Sequence, residues 1–334
     1  MCKIILSLVL IVFGHLFIST RTAWAMHISE GILPLKWAAL WYLAATPFLV
    51  KGIFDIKRKS RMTPSFKPLL GLVGALIFVI SCMPVPVPTA GTCSHPAGTG
   101  ISAILIGPIM SIFVTSIALF IQALFLAHGG ITTWGADIVS MGIAGSFAGY
   151  IAFKILRKFK LPLFVCGFAA GLSADWATYV TTSFELASAL HGSKSMFPLF
   201  CTVLIAFIPT QLPLGILEGA LTGGMIVFVY KRRPDILTSL GAVKKTAGIL
   251  LISLLLFSNS HFAFAGGNTK WIGVDEAVVQ KIAKEHGRGA WVPFINTDKG
   301  DLLLFVFLIA GVAGGFMMGY NFRKLFFKKQ DQEC

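Results

Sequence analysis

Apolar residues in this chain cluster in long runs separated by short polar stretches, a pattern that is neither the strict alternation of a strand nor the one-sided stripe of a soluble helix. Crossing a bilayer as a helix takes about 20 predominantly apolar residues. Runs at 36–54, 68–83, 109–127, 136–156, 161–189, 197–230, 246–264 and 301–321 approach or exceed that length. The run at 197–230 is too long for one straight span, and Pro209 and Pro213 are expected to interrupt it. Lysine and arginine gather between alternate runs: at Lys57, Arg58, Lys59, Arg61 and Lys67, at Lys154, Arg157, Lys158 and Lys160, at Lys231, Arg232 and Arg233 with Lys244 and Lys245, and at Arg323, Lys324, Lys328 and Lys329. Basic loops stay cytoplasmic, so each cluster fixes one membrane side.

Parity then demands a break. A single helix over 101–126 would put the Lys154 cluster on the wrong side. Gly107-Pro108 resolves this by dividing the run into a short descending segment, 98–107, and a full span, 109–127. A short segment at membrane depth is tolerated where protein surrounds it. The outer turns are then 85–100, which begins with the helix-stopping Pro84-Val85-Pro86-Val87-Pro88, then 128–133, then 191–195. Seven crossings run from an outer N-terminus to a cytoplasmic end near 232. A basic cytoplasmic linker, 233–244, leads to a second module, 245–334, with two spans around a hydrophilic extracytoplasmic loop at 266–300. The fold class is an all-α polytopic membrane protein, a seven-helix bundle with a two-helix C-terminal module.

The first 25 residues read differently. Lys3, an apolar stretch from 4 to 19 and Ala23-Trp24-Ala25 make a signal peptide. Cleavage after Ala25 leaves 26–232 as the first mature module, with Met26 as an extracytoplasmic N-terminus. Ala263-Phe264-Ala265, preceded by Lys244-Lys245 and an apolar run, imitates a second such site, as expected of an ancestral separate subunit fused on.

Composition agrees. Of 334 residues, 56% are hydrophobic and only 13% charged, against about 25% charged in soluble domains. The net charge of +14 follows from the cytoplasmic clusters, and nucleic acid is not implied. Six scattered cysteines with no CxxC make no zinc site and no disulfide framework. Gly192-Ser193-Lys194-Ser195 lacks the spacing of a P-loop, so the chain binds no ATP by that route. No Ser/His/Asp or Cys/His arrangement suggests hydrolysis.

The chemistry concentrates at Met26-His27. After cleavage, the Met26 amine, the His27 amide nitrogen and His27 Nδ1 can bind one ion in fused five- and six-membered chelate rings. Losing the amide proton requires a polarising ion such as Ni²⁺, Cu²⁺ or Co²⁺. The three nitrogens share a plane and leave one planar position, suited to a neutral imidazole. His95 lies in a flexible loop on the same side and is the candidate. Cys93 is read as packing or orienting that loop. His128, His191 and His286 are read as surface or access-path residues. Asp137, Asp175, Glu185 and Glu218, in or beside spans, are read as structural hydrogen-bonding groups. A membrane metalloenzyme with these ligands would need a general base beside an open position, and none has convincing spacing. A metal sensor is a third reading.

Met26–Pro34 (MHISEGILP), Thr92–Gly100 (TCSHPAGTG), Leu124–Asp137 (LFLAHGGITTWGAD) and Ile208–Gly219 (IPTQLPLGILEG) resemble the CbiM/NikM family, the substrate-binding membrane subunits of cobalt and nickel energy-coupling-factor transporters. The likeness covers 26–232. Residues 245–334, with INTDKGDLLLF before the last span, are similar to the small CbiN/NikN auxiliary subunit. The resemblance implies a seven-helix bundle and a metal held by Met26, His27 and His95. It also implies an inner-membrane location, a CbiQ-type coupling subunit, two CbiO-type ATPases, and no permanent cofactor beyond the Co²⁺ or Ni²⁺ being carried. A PDGLE motif, frequent in the nickel version, is absent, which favours cobalt and a supply line to cobalamin. A signal peptide stands where typical members begin directly at the chelating methionine, so the site here depends on cleavage.

Overall fold

The first apolar run forms α1 (Leu35–Met62), which begins directly after Pro34. It extends eight residues beyond the expected 54, because the basic cluster continues it: lysine and arginine are good helix formers and suit a helix C-terminus. Asp55 pairs with Lys51 and Arg58, each at 3.3 Å. At 28 residues the helix is about 42 Å long, more than the roughly 30 Å hydrocarbon layer, so its basic end reaches beyond the apolar zone. The computed structural model describes residues 27–87, 92–239, 272–293, 295–296 and 302–327. The signal peptide with Met26, the span expected at 246–264 and the Ala263-Phe264-Ala265 site lie outside the described residues.

Next come α2 (Phe66–Cys82), then a hairpin of β1 (Val85–Val87) and β2 (Thr92–Ser94), with Val85 opposite Ser94 and Val87 opposite Thr92. The loop from His95 to Gly98 leads into α3 (Thr99–Ile106), and α4 (Pro108–Phe125) follows. The break falls at Gly107-Pro108, as parity required. Gly107 adopts φ +89°, a region that disfavours any side chain, and Pro108 occupies a first-turn position whose N–H would have no partner anyway. All eight residues of α3 are buried, and a helix apolar on every side belongs inside a bundle. At about 12 Å it cannot cross a bilayer alone.

Then follow α5 (Trp134–Lys158), π-helical over Ile138–Gly145, α6 (Leu163–Leu190), α7 (Met196–Arg232) and α8 (Pro234–Ser239), which folds Ile236 and Leu237 back onto the core. Against expectation, α7 is one continuous 37-residue helix through Pro209 and Pro213. Each proline removes a single N–H donor, and within a packed membrane bundle neighbouring groups compensate. Each segment expected between 36 and 230 thus has a helical counterpart. Among the described residues, six helices are long and apolar enough to cross a membrane.

Helices α6 and α7 approach closely through glycines spaced by four. A Cβ on Gly167 would sit 2.8 Å from the Gly223 Cα, and one on Gly171 would sit 2.6 Å from the Glu218 carbonyl oxygen. A Cβ on Gly219 would meet the Phe168 carbonyl oxygen at 2.8 Å. Small residues repeated at this spacing let membrane helices touch backbone to backbone.

The C-terminal part holds β3 (Ile272–Gly273), a π-helical turn over Asp275–Gln280, α9 (Lys281–Glu285) and α10 (Leu302–Phe326). Helix α10 lies along α2, where a Cβ on Gly314 would meet Val79, and it touches α7 where the Phe228 ring lies 5.9 Å from that of Phe326. The stretch expected as a hydrophilic loop is only partly that. Val274, Val278, Val279, Ile282 and Ala283 form a helical stripe that packs into an outer core with Ile28, Ile32 and Leu33. Strand β3 runs parallel to β2, with Thr92 opposite Ile272.

Replacing Gly219 with leucine should force α6 and α7 apart. The expected cost is about 1–3 kcal/mol, the usual range for overpacking, seen as a lower unfolding midpoint in detergent. Gly224→Leu on the same helix, where a Cβ meets nothing within 4 Å, should leave it unchanged. Equal midpoints for the two variants would contradict the close approach.

Candidate metal site

Three loops meet at one end of the bundle: the segment 27–34 before α1, the loop 95–98 after β2, and the turn 126–133 between α4 and α5. Several of their backbone N–H groups have no ladder or helix to pair with, and buried carboxylates take that role. Glu218 on α7 accepts Ala97 N–H at 2.6 Å and Gly98 N–H at 2.9 Å. Glu30 accepts the Ile131 and Thr132 N–H groups, the latter at 3.0 Å. Asp137 on α5 accepts Ile28 N–H at 3.3 Å. The Thr133 hydroxyl donates to the Ile28 carbonyl, and Gly31 N–H donates to the Thr132 hydroxyl at 3.1 Å. The turn lies so close that a Cβ on Gly130 would sit 2.6 Å from the Glu30 Cα.

Inside this frame three imidazoles converge. Ring centroids of His27 and His95 are 4.7 Å apart, those of His27 and His128 4.7 Å, and those of His95 and His128 5.1 Å. One nitrogen from each lies within 4.8 Å of the other two. A cavity of about 20 Å³ beside them, walled by Asp137, Tyr179 and Phe207, is the size one water or a single ion fills.

Hydrogen bonds decide which nitrogen of each ring carries the lone pair. Gln122 Nε2–H donates to Ser81 Oγ at 2.6 Å, so Gln122 Oε1 faces His27 and accepts its Nε2–H at 3.1 Å. The lone pair of His27 is therefore on Nδ1. His95 Nδ1–H donates to the Pro96 carbonyl at 3.1 Å, which puts its lone pair on Nε2. That nitrogen is buried with no hydrogen-bond partner among the described residues, and so is His128 Nε2. Leaving a buried polar atom unpaired costs about 1–3 kcal/mol.

All three rings stay neutral. Burial, and then the charge of His95, hold the His27 pKa well below the ordinary value, against the opposing bond to Gln122. Burial pushes His95 down to about 4, against the Pro96 carbonyl. Burial, and then the charges of His27 and His95, push His128 well down. Neutral imidazoles with one nitrogen fixed by an outer hydrogen bond and the other free are the form that binds transition metals.

The His95 loop is braced from both helices. Gln211 Nε2–H donates to Ser94 Oγ at 3.1 Å, Ser94 Oγ meets the Tyr179 hydroxyl at 3.0 Å, and the Thr92 and Thr210 hydroxyls meet at 2.8 Å. The Cys93 backbone pairs with Pro86 and Gly273. The C-terminal segment covers the N-terminal loop: Arg288 donates to the Gly31 carbonyl at 2.7 Å and to the Ile32 carbonyl at 3.1 Å, and Trp291 N–H donates to the Glu30 carbonyl at 2.7 Å. Ser29 Oγ–H donates to Asp275 Oδ2 at 2.7 Å.

Of the residues expected to form the site, His27 and His95 come together, and Met26 lies outside the described residues. His128 corrects the expectation of a surface or access-path histidine, because it is buried in the cluster. Its sequence signal was Gly129-Gly130 directly after it, which lets the turn pack against His27 and Glu30. His191 and His286 do remain at the periphery, their rings bonded to the Lys194 and Ile282 carbonyls. Asp137 and Glu218 are hydrogen-bonding groups as expected. Both carboxyl oxygens of Asp175, by contrast, are buried without a partner among the described residues. Glu30 was missed, although it sits three residues from His27.

Residues 27–236 match the family described as the cobalt uptake substrate-specific transmembrane region, CbiM. The chain belongs to this family. CbiM relatives include a cobalt transport protein of Geobacter sulfurreducens, 56% identical over 313 residues, covering 91% of this chain and 90% of the relative. One from Sorangium cellulosum is 54% identical over 223 residues, covering 67% of this chain and 99% of the relative. Two crystal structures, of a truncated transition metal transporter and of a transition metal transporter, are 25% and 26% identical with TM-scores of 0.54 and 0.52. Each covers 62% of this chain, and 99% and 93% of its own. As a CbiM member the chain is a multi-pass membrane transport component and not an enzyme.

Burial pushes the Asp275 carboxyl from 3.8 up to about 8. The folded state therefore binds the extra proton between those values, and docking of the C-terminal segment weakens as pH rises through that window, levelling off above it. Amide-exchange protection over 275–285, corrected for intrinsic rates, should fall accordingly in the wild type and stay flat in Asp275→Asn. A matching fall in the variant would mean that another group titrates.

Proposed function

We propose that this protein is the metal-capturing, specificity-determining component of an energy-coupling-factor importer for cobalt ions, with nickel uptake by the same mechanism as the alternative. Removal of residues 1–25 frees the Met26 amine. That amine, the His27 amide nitrogen, His27 Nδ1 and His95 Nε2 form a planar four-nitrogen site on the outer side. The observation that carries this reading is the tautomer of His27. Its Nε2–H is committed to Gln122, which leaves free the one ring nitrogen that closes a six-membered ring with its own amide. The unpartnered Nε2 of His95 completes the set.

Several features support the remainder. Relatives at 56% and 54% identity are cobalt transport proteins. The chain lacks a P-loop, so ATP hydrolysis falls to two CbiO-type ATPases, linked to this chain through a CbiQ-type coupling subunit. The basic clusters orient the mature N-terminus outward and the C-terminus into the cytoplasm, in the inner membrane. Imported cobalt would serve cobalamin synthesis. Residues 245–334 act as a CbiN-like auxiliary module. The Sorangium relative, matched almost whole within two thirds of this chain, fits a module that is separable from 26–232. A metalloenzyme is disfavoured because Asp137, the carboxyl lining the cavity beside the histidines, is committed to the Ile28 N–H.

Inserting alanine between Met26 and His27, or blocking cleavage after Ala25, should abolish Co²⁺ binding in calorimetry. Unchanged affinity would exclude the amine–amide chelate. His95→Ala should weaken binding by orders of magnitude, and a mild effect would return His95 to an ordinary loop residue. Binding should strengthen as pH rises, because chelation displaces protons from the amine and the amide.

A further inference from the structure

We propose that His128 is a fifth nitrogen donor, set off the plane of the other four, that biases the site towards Co²⁺ over Ni²⁺. This rests on the planar chelate described above and specifies its selectivity.

The ring is placed for it. Its centroid lies 4.7 Å from that of His27 and 5.1 Å from that of His95, and a donor nitrogen lies within 4.8 Å of both others. In the planar chelate proposed above, Met26, His27 and His95 would take the in-plane positions, which leaves the axis for a third imidazole. His128 Nε2 is buried with no hydrogen-bond partner among the described residues, which leaves this nitrogen unused by the surrounding side chains and backbone.

The backbone around it is held in an unusual form. Ala127 sits at φ +48° and Gly129 at φ +86°, so left-handed residues flank His128 on both sides. Glycine adopts this freely, whereas alanine does so at a cost, and such residues persist where surrounding contacts over-determine them, often at ligand clamps. The contacts here come from Gln122: its carbonyl accepts the Leu126 N–H at 2.9 Å and the His128 N–H at 3.3 Å. Its side chain holds His27 at 3.1 Å. One residue thus fixes an in-plane ligand and the turn carrying the proposed axial one.

The selectivity follows from electron count. Low-spin Ni²⁺ in a plane of four nitrogens has a filled orbital along the axis and gains little from a fifth donor. Co²⁺, with one electron fewer, takes an axial nitrogen readily.

The test uses the full processed chain loaded with Co²⁺ or Ni²⁺. X-ray absorption of the wild-type cobalt form should show three imidazoles, and its electron paramagnetic resonance should show splitting from one axial nitrogen. His128→Ala should show two imidazoles and no axial splitting. Its Co²⁺ affinity should fall at least as far as losing an outer-shell partner costs, roughly 10- to 100-fold, with a smaller change for Ni²⁺. Two imidazoles in the wild type, or identical cobalt spectra with and without His128, would overturn the inference, and the wild-type arm stands even if the variant fails to fold. If His95→Ala abolishes binding while His128→Ala leaves the spectra unchanged, only this inference falls. If the wild-type metal shows no imidazole, the planar site falls as well.

Discussion

Backbone N–H groups of loops, buried where neither water nor a strand can take them, are the constraint on which the histidine-bearing end of this molecule depends. Buried carboxylates meet it. A buried donor left unmet costs about 1–3 kcal/mol. Glu218, Glu30 and Asp137 each capture a different loop, so all three loops take defined positions without lying in any regular element. The histidines inherit that definition. His95 is two residues before Ala97, His27 is next to Ile28, and His128 is three residues before Ile131.

The clamps also make the donor set a function of helix spacing. Glu218 belongs to α7, Asp137 to α5 and Gln122 to α4. Glu218 lies beneath the His95 loop because Gly167, Gly171 and Gly219 let α6 and α7 approach to backbone distance. A shift of α7 against α4 and α5 therefore separates His95 from His27 and His128, with no need to break the loops themselves. In a component that must both hold and surrender an ion, binding geometry and bundle geometry are one variable.

Much of this was legible in the sequence, for identifiable reasons. Gly107-Pro108 was readable because both residues restrict the backbone in ways no neighbour overrides, and the basic clusters made the break necessary. The convergence of His27 and His95, whose rings lie 4.7 Å apart, was anticipated from their chelating chemistry, which marks a histidine near a signal-peptide-like stretch and one in a glycine-flanked loop. Pro209 and Pro213 misled, since the loss of one donor per proline counts for little inside a packed helix. His128 misled because burial of a loop histidine is a tertiary outcome, set here by Gly129 and Gly130 closing on His27 and Glu30. Over 266–300 the charge count concealed a stripe of valine and isoleucine that only a helical period brings to one face.

That stripe explains why the C-terminal segment lies on the site. Its apolar face completes a core that Ile28, Ile32 and Leu33 could not close alone, since they belong to a loop with no second side. Its polar face answers the loop's carbonyls: Arg288 takes Gly31 and Ile32, and Trp291 N–H takes Glu30. The N-terminal loop thus has N–H groups met by the bundle and carbonyls met by Arg288 and Trp291. Part of what positions the loop carrying His27 therefore comes from residues about 250 positions further along the chain.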